Sequence, residues 1–309
     1  VWKFSKEMFE NKTFALISLL TLEGIYFYNF TTPEFNVNVS QLPFWAMTVY
    51  FFWKSLKTNS KSFWFLFGIT SALGFLSKYL FVYILFSLFL YLLFNIKKYK
   101  KKINNYFFSV IVSLLILTPH FFWLYKNNFS TITYGLSRSS LEDTEILSHL
   151  INPIIFLFNQ LIILIPFFLM IYVLLKKISL IKLKNQKIIF LFTITFLPII
   201  LILLTSLLTG AKIRTMWMTP FYLFFGVFFI EFFKKNINLK KIKIFLNTFI
   251  FFLIFSPALY LGVSLIDETK RTDYPGKEIS RLVQNKWDEN FRNEIKIVIG
   301  DEWSAGNLS

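Results

Sequence analysis

Long apolar runs separated by short lysine clusters constrain this chain more than any other feature. A helix that crosses a bilayer needs about 20 mostly apolar residues. About nine stretches meet or approach that length: 13–30, 42–56, 62–76, 79–96, 105–124, 151–175, 188–209, 214–233 and 243–266. Residues 267–309 are polar. The expected fold is therefore an all-α polytopic membrane domain over 1–266, followed by a separate domain that begins at 267. Composition agrees: 55% of residues are hydrophobic and only 16% are charged, against about 25% charged in a typical soluble domain. That balance excludes an ordinary soluble enzyme, and the hydrophobicity excludes a disordered chain. With no cysteine, Cys-ligated zinc, iron–sulfur clusters and thiol catalysis are excluded as well.

The basic residues alternate along the chain. Lys3, Lys6 and Lys12 precede the first run, and Lys54, Lys57 and Lys61 follow the second. Lys97, Lys98, Lys100, Lys101 and Lys102 follow the fourth. Lys176, Lys177, Lys182, Lys184 and Lys187 follow the sixth, and Lys234, Lys235, Lys240, Lys241 and Lys243 follow the eighth. The intervening connections hold only Lys78, then Lys126 and Arg138, then Lys212 and Arg214. Cytoplasmic loops carry the lysine and arginine excess. The N-terminal stub is thus expected in the cytoplasm and the tail on the outer side, periplasmic in a bacterial inner membrane. The same placement explains the formal charge of +16 without a nucleic-acid partner, because the lysines do not line one amphipathic face.

Residues 62–96 have Lys-rich connections at both ends. Both ends then lie on one side, so the chain turns near Ser77-Lys78-Tyr79. Its first arm is only about 15 residues, or roughly 22 Å, against an apolar core of about 30 Å. Lys78 is therefore expected at or below the outer interface, where an ammonium is costly unless it snorkels or meets an anion.

In the tail, Ile279, Leu282, Val283 and Trp287 recur at helical spacing, which predicts a helix over 276–291. Glu294 to Asp301 alternates like a strand and ends in a Gly-Asp turn. The tail is expected to begin an α/β domain on the outer face. The first residue is Val and no signal-peptide pattern appears, so the sequence reads as a fragment truncated at both ends.

The polar residues of interest lie on the expected outer side. Glu34 sits in a loop rich in amides and hydroxyls, with Asn36 and Asn38 close by. A carboxylate there serves as a general base or a sugar ligand, or the loop is merely solvated, with Pro33 starting a turn and an Asn capping the next helix. Lys78-Tyr79 suits a phosphate or lipid headgroup, or is a snorkelling lysine with an interfacial tyrosine. His120 is an acid/base candidate or a structural interfacial residue. The loop over 125–150, with Tyr134, Arg138, Glu142, Asp143 and Glu145, reads equally as a lid or as a solvated surface segment. Lys212 and Arg214 flank a very short turn and can clamp a phosphate, Arg with two-point geometry. Arg271 and Tyr274 follow the last run and either line the same cavity or link two domains. No metal-ligand cluster, Walker motif or GxGxxG is present, so no metal-ligand residue and no cofactor is assigned, and a need for a divalent ion stays open.

Several strings together resemble a known family. They are Pro33-Glu34-Phe35-Asn36-Val37-Asn38, Leu42-Pro43-Phe44-Trp45 and Gly74-Phe75-Leu76-Ser77-Lys78-Tyr79. Later come Thr209-Gly210-Ala211-Lys212-Ile213-Arg214 with Trp217, then Tyr274-Pro275-Gly276, Trp287, Gly300-Asp301-Glu302-Trp303 and Ala305-Gly306-Asn307. These resemble the family 39 polyprenyl-phosphate-sugar glycosyltransferases, relatives of the protein O-mannosyltransferases and of the aminoarabinose transferase acting on lipid A. The resemblance implies a GT-C architecture with an outer-face active site. It also implies a polyprenyl-phosphate sugar as donor and a lipid, glycan or protein hydroxyl as acceptor. Lys78, Lys212 and Arg214 would face the phosphate, and Glu34, Asn36 and Asn38 the sugar or acceptor, with Tyr79, His120, Arg271 and Tyr274 as further candidates. Family members carry a key acidic residue in an outer loop after their first helix. The present chain begins after that point, so the main base is expected to lie outside it and Glu34 is a tentative substitute. A transporter or flippase for a lipid-linked sugar is the alternative; it requires the same basic groove but no catalytic carboxylate, and no inverted repeat is evident. A structural membrane subunit is a third reading.

Overall fold

A computed structural model describes residues 1–33, 35–139, 146–176, 185–266, 274–300 and 304–308. The described residues are mostly helical and contain no strand. Helices α1 (Trp2–Met8) and α2 (Lys12–Leu20) open the chain. The short α3 (Val37–Ser40) leads into α4 (Leu42–Thr58), and α5 (Lys61–Ser77) and α6 (Val82–Phe94) follow. A single turn, α7 (Ile96–Tyr99), precedes the long α8 (Ile103–Lys126) and the short α9 (Ser130–Ser137). Next come α10 (Ser148–Ile163), α11 (Ile165–Tyr172), α12 (Gln186–Thr209) and α13 (Phe225–Phe233). The chain continues with α14 (Ile242–Ile266) and α15 (Gly276–Asn290).

Local chemistry sets several of these boundaries. The side chains of Asn11, Asn36 and Asn185 accept from the first free amides of α2, α3 and α12, which meets donors a helix start leaves unpaired. Pro43 lies in the first turn of α4, where a missing N–H costs nothing. Gly210 ends α12 with φ 71°, a left-handed conformation that glycine adopts without penalty.

The chain divides into two compact units, Val1–Ser256 and Pro257–Ser309. In the first, α5 packs on α8 and α4, α6 on α12, and α2 on α13. Apolar side chains alone do not hold helices together in lipid, so close backbone approach at small residues matters. Gly68 of α5 lies against Ser109 of α8, and the Ser113 hydroxyl donates to the Gly68 carbonyl at 2.8 Å. Gly226 of α13 lies against the Ser18 carbonyl of α2. Between these contacts runs an aromatic core that includes Phe4, Trp45, Phe52, Trp64, Phe81, Phe190, Phe221 and Phe224. In the second unit, α15 covers the helix expected at 276–291.

Two expectations need correction. The nine-span count is not supported: among the described residues three helices are long and apolar enough to cross a membrane, Ile96–Lys126, Gln186–Thr209 and Leu239–Ile266. Two bent pairs, α10 with α11 at 47° and Thr215–Tyr222 with α13 at 54°, bring the number to five if each crosses once. Hydropathy counts apolar residues but does not detect breaks in the helix. The run at 13–30 is helical only to Leu20 and then continues as two short 3-10 segments, Thr21–Gly24 and Tyr26–Tyr28. Helices α4 and α5 have 17 residues each, about 25 Å and thus short of a full apolar core. The expected α/β domain also lacks its strand: 294–300 has no ladder partner among the described residues, and alternation without a neighbouring strand does not make a sheet.

Candidate functional site

The turn after α12 is pinned from several directions. The Ser206 hydroxyl donates to the Ala211 carbonyl at 2.7 Å, and the Asn152 amide donates to the Gly210 carbonyl at 2.7 Å. The Lys212 N–H donates to the Ser139 carbonyl at 3.0 Å. Lys212, Ile213 and Arg214 all line a cavity of about 650 Å³, and Ile213 is buried there. Neither Lys212 nor Arg214 forms an ion pair with a described residue.

Four elements close this cavity. Tyr26, Phe27 and Thr31 come from the broken region after α2, and Asn36 and Val39 from α3 and its cap. Asn152, Phe156 and Asn159 come from α10, and Thr215, Met216 and Thr219 from the 3-10 segment after the pinned turn. The lining thus combines two cations, three side-chain amides, hydroxyls and aromatic faces. Such a mixture suits an anionic group at one end and a hydroxyl-rich group beside it.

Lys78 lies behind this cavity's basic edge. Its ammonium donates to the Asn38 side-chain oxygen and sits 5.2 Å from the centre of the Trp217 ring. Burial, and secondarily the charge of Arg214, push its pKa down to about 8. Asn38 is itself buried, and its N–H is held by the Asn36 side chain at 2.8 Å. Asn36, Asn38, Lys78 and Arg214 therefore form one neighbourhood, although only Asn36 and Arg214 line the cavity itself.

Tyr79 points elsewhere. Its hydroxyl shares hydrogen bonds with His120 Nε2 at 2.8 Å and Thr131 Oγ1 at 2.7 Å, and His120 stacks on Trp123 at 6.0 Å. These residues make a second polar cluster outside the cavity lining. Glu34 and Arg271 lie outside the described residues, as do Glu142, Asp143 and Glu145. Tyr274 belongs to the second unit. Among the described residues no group of His, Asp or Glu is placed to hold a metal.

Sequence reasoning missed Asn152 and Asn159. They stand at i and i+7 on α10, one face of a helix, inside a stretch otherwise apolar enough to hide them. That spacing was the available signal. His149, whose Nδ1 lies 2.9 Å from the Leu207 carbonyl, went unnoticed as well.

Over residues 1–123 the chain matches the family model described as dolichyl-phosphate-mannose-protein mannosyltransferase. The match takes in Asn36, Asn38, Lys78, Tyr79 and His120 but not Lys212 or Arg214, and it does not reach the strings of the tail. No curated protein and no solved structure matches. The apolar helices and the match agree on a multi-pass membrane protein, and the match suggests a membrane glycosyltransferase of the GT-C type.

Proposed function

We propose that this chain is a membrane glycosyltransferase that takes a sugar from a polyprenyl phosphate and gives it to an acceptor hydroxyl on a lipid, glycan or protein. The observation that carries the reading is the cavity lined jointly by Lys212 and Arg214, which have no ion pair among the described residues, and by the amides of Asn36, Asn152 and Asn159. In the reaction, the bond from the sugar's anomeric carbon to the phosphate oxygen breaks, and a bond to the acceptor oxygen forms. Negative charge grows on the departing phosphate, so cations already fixed beside it lower the barrier without reorganising. Lys212 and Arg214 have this role, with Lys78 behind them. The amides hold the sugar hydroxyls. The acceptor's proton goes to a carboxylate, for which Glu34, two residues before Asn36 in the sequence, is the proposed base in this chain. The site works on the outer face of a bacterial inner membrane, and the polyprenyl tail lies between apolar helices.

The test is a single assay on the purified chain in lipid. Polyprenyl phosphates carrying different labelled sugars are supplied with a pool of envelope lipids and glycans as acceptors. The proposal expects free polyprenyl phosphate to appear together with a labelled acceptor. Movement of the intact donor between leaflets without sugar transfer would instead identify a flippase. No interaction with any polyprenyl phosphate would remove the proposal.

A further inference from the structure

A second pocket lies at the opposite end of α4, about 20 Å along that helix from the cavity edge. It measures about 300 Å³ and is lined by Trp53, Leu56, Lys57, Lys98, Tyr99 and Lys102. Three lysines thus converge from α4, from α7 and from the link into α8. The ammonium groups of Lys98 and Lys102 both sit over the Tyr99 ring, at 5.3 and 5.6 Å from its centre. The ring gathers two like charges into one space, an arrangement that is costly until an anion joins them.

The hydrogen-bonding inventory points the same way. An ammonium carries three donors. Lys98 gives one to the Gln186 side-chain oxygen and Lys102 one to the Leu56 carbonyl. Among the described residues neither pairs with a carboxylate; only Lys57 does, with Glu7 at 2.8 Å. The Trp53 indole Nε1 is buried, with no acceptor among the described residues, and is not counted with these donors. The pocket therefore offers spare donors and positive charge, and its lining side chains bring no carboxylate of their own. A ligand that completes it must be rich in acceptors and anionic. Leu56 and the Trp53 ring supply an apolar wall beside this charge.

We infer that this pocket binds a phosphate group, carried either by the headgroup of an anionic lipid or by a free phosphate. It is separate from the cavity that holds Lys212 and Arg214, and the inference does not depend on the transfer reaction.

The full 309-residue chain in detergent micelles is titrated with dioctanoyl phosphatidic acid, dioctanoyl phosphatidylcholine and inorganic phosphate. The expected result is saturable binding of phosphatidic acid that weakens by about tenfold or more in the double variant Lys98→Gln/Lys102→Gln. Lys98→Arg/Lys102→Arg keeps the charge and should keep the binding. Lys100→Gln/Lys101→Gln removes the same charge from neighbouring positions outside the lining and should leave affinity nearly unchanged. Competition by millimolar inorganic phosphate assigns the site to a free phosphate; phosphatidic acid binding without competition assigns it to a lipid headgroup. Equal binding of phosphatidylcholine overturns the inference. So does equal loss in the Lys100/Lys101 variant, or no binding of phosphatidic acid or inorganic phosphate by the unaltered chain.

Discussion

The ammonium of Lys78 donates to the side-chain oxygen of Asn38, joining the turn after α5 to α3. Asn38 is in turn the first amide held by the Asn36 cap. A side chain on the cavity wall and a cation behind it are therefore linked through one buried asparagine. Asn38→Ala should release Lys78, weaken donor binding and leave the cap of α3 in place. Donor affinity measured beside the helical circular dichroism signal separates these effects.

Arg214→Ala should lower the rate of sugar transfer by about 10²–10³, the usual cost of removing one fixed group that stabilises developing negative charge. Membrane insertion and thermal midpoint should hardly change, since Arg214 forms no ion pair with a described residue. Steady-state turnover checks the first statement and a melting curve the second. Normal turnover removes Arg214 from the phosphate site.

The lowered pKa of Lys78 sets a pH dependence. Only the protonated amine attracts phosphate, so donor affinity should fall as pH rises through about 8. The Arg214→Ala variant should move this transition upward because a repelling charge is gone, and Lys78→Arg should abolish it. Stability runs in the opposite sense. Between about 8 and the ordinary lysine value of 10.5 the folded state binds fewer protons than the unfolded state, so stability rises with pH across that window. Affinity and melting temperature recorded over the same pH series test both signs.

Gly226 permits the contact of α13 with α2. A Cβ there would lie 1.9 Å from the Ser18 carbonyl and 2.6 Å from Thr21 Oγ1. Gly226→Ala should cost about 1–3 kcal/mol or more, because the nearest atom is backbone and cannot swing away. Gly135→Ala, with nothing within 4 Å of the added carbon, should be neutral or slightly stabilising. A differential melting experiment in one detergent decides between them.

The Tyr222 hydroxyl donates to Gln160 Oε1 at 2.7 Å, and the Gln160 amide nitrogen is buried without an acceptor among the described residues. Tyr222→Phe leaves Gln160 with neither end satisfied and should cost about 1–3 kcal/mol. Gln160→Leu together with Tyr222→Phe should recover most of that loss. A double-mutant cycle measured by thermal shift checks the recovery.

Where an element was a single uninterrupted helix, its limits were legible in the sequence. The apolar runs at 105–124, 188–209 and 243–266 end within two residues of α8, α12 and α14. The amphipathic pattern at 276–291 likewise marks α15. The run at 13–30 was illegible because hydropathy is blind to the change from α to 3-10 winding after Leu20. The alternation at 294–301 misled for the opposite reason: a strand depends on a partner that a local pattern does not supply. Part of the cavity was visible in its charges, since Lys212 and Arg214 stand out in a connection that is otherwise poor in cations. Asn152 and Asn159 stayed hidden because their surroundings are apolar and their shared face appears only once α10 is wound.

The breaks in the helices have a bearing on solvent. Tyr26–Tyr28 and Thr215–Tyr222 wind as 3-10 segments, and both contribute to the wall of the large cavity. Backbone that leaves the α-helical pattern at membrane depth is tolerated where it is buried in protein or lines a wet space. If the cavity lies at that depth, the rule predicts a hydrated interior whose water meets amides and carbonyls that lipid would strand. Under the proposed function, an incoming sugar would then not enter an oily void. It exchanges one set of hydroxyls for another, so recognition turns on how well its own hydroxyl pattern copies the water it displaces.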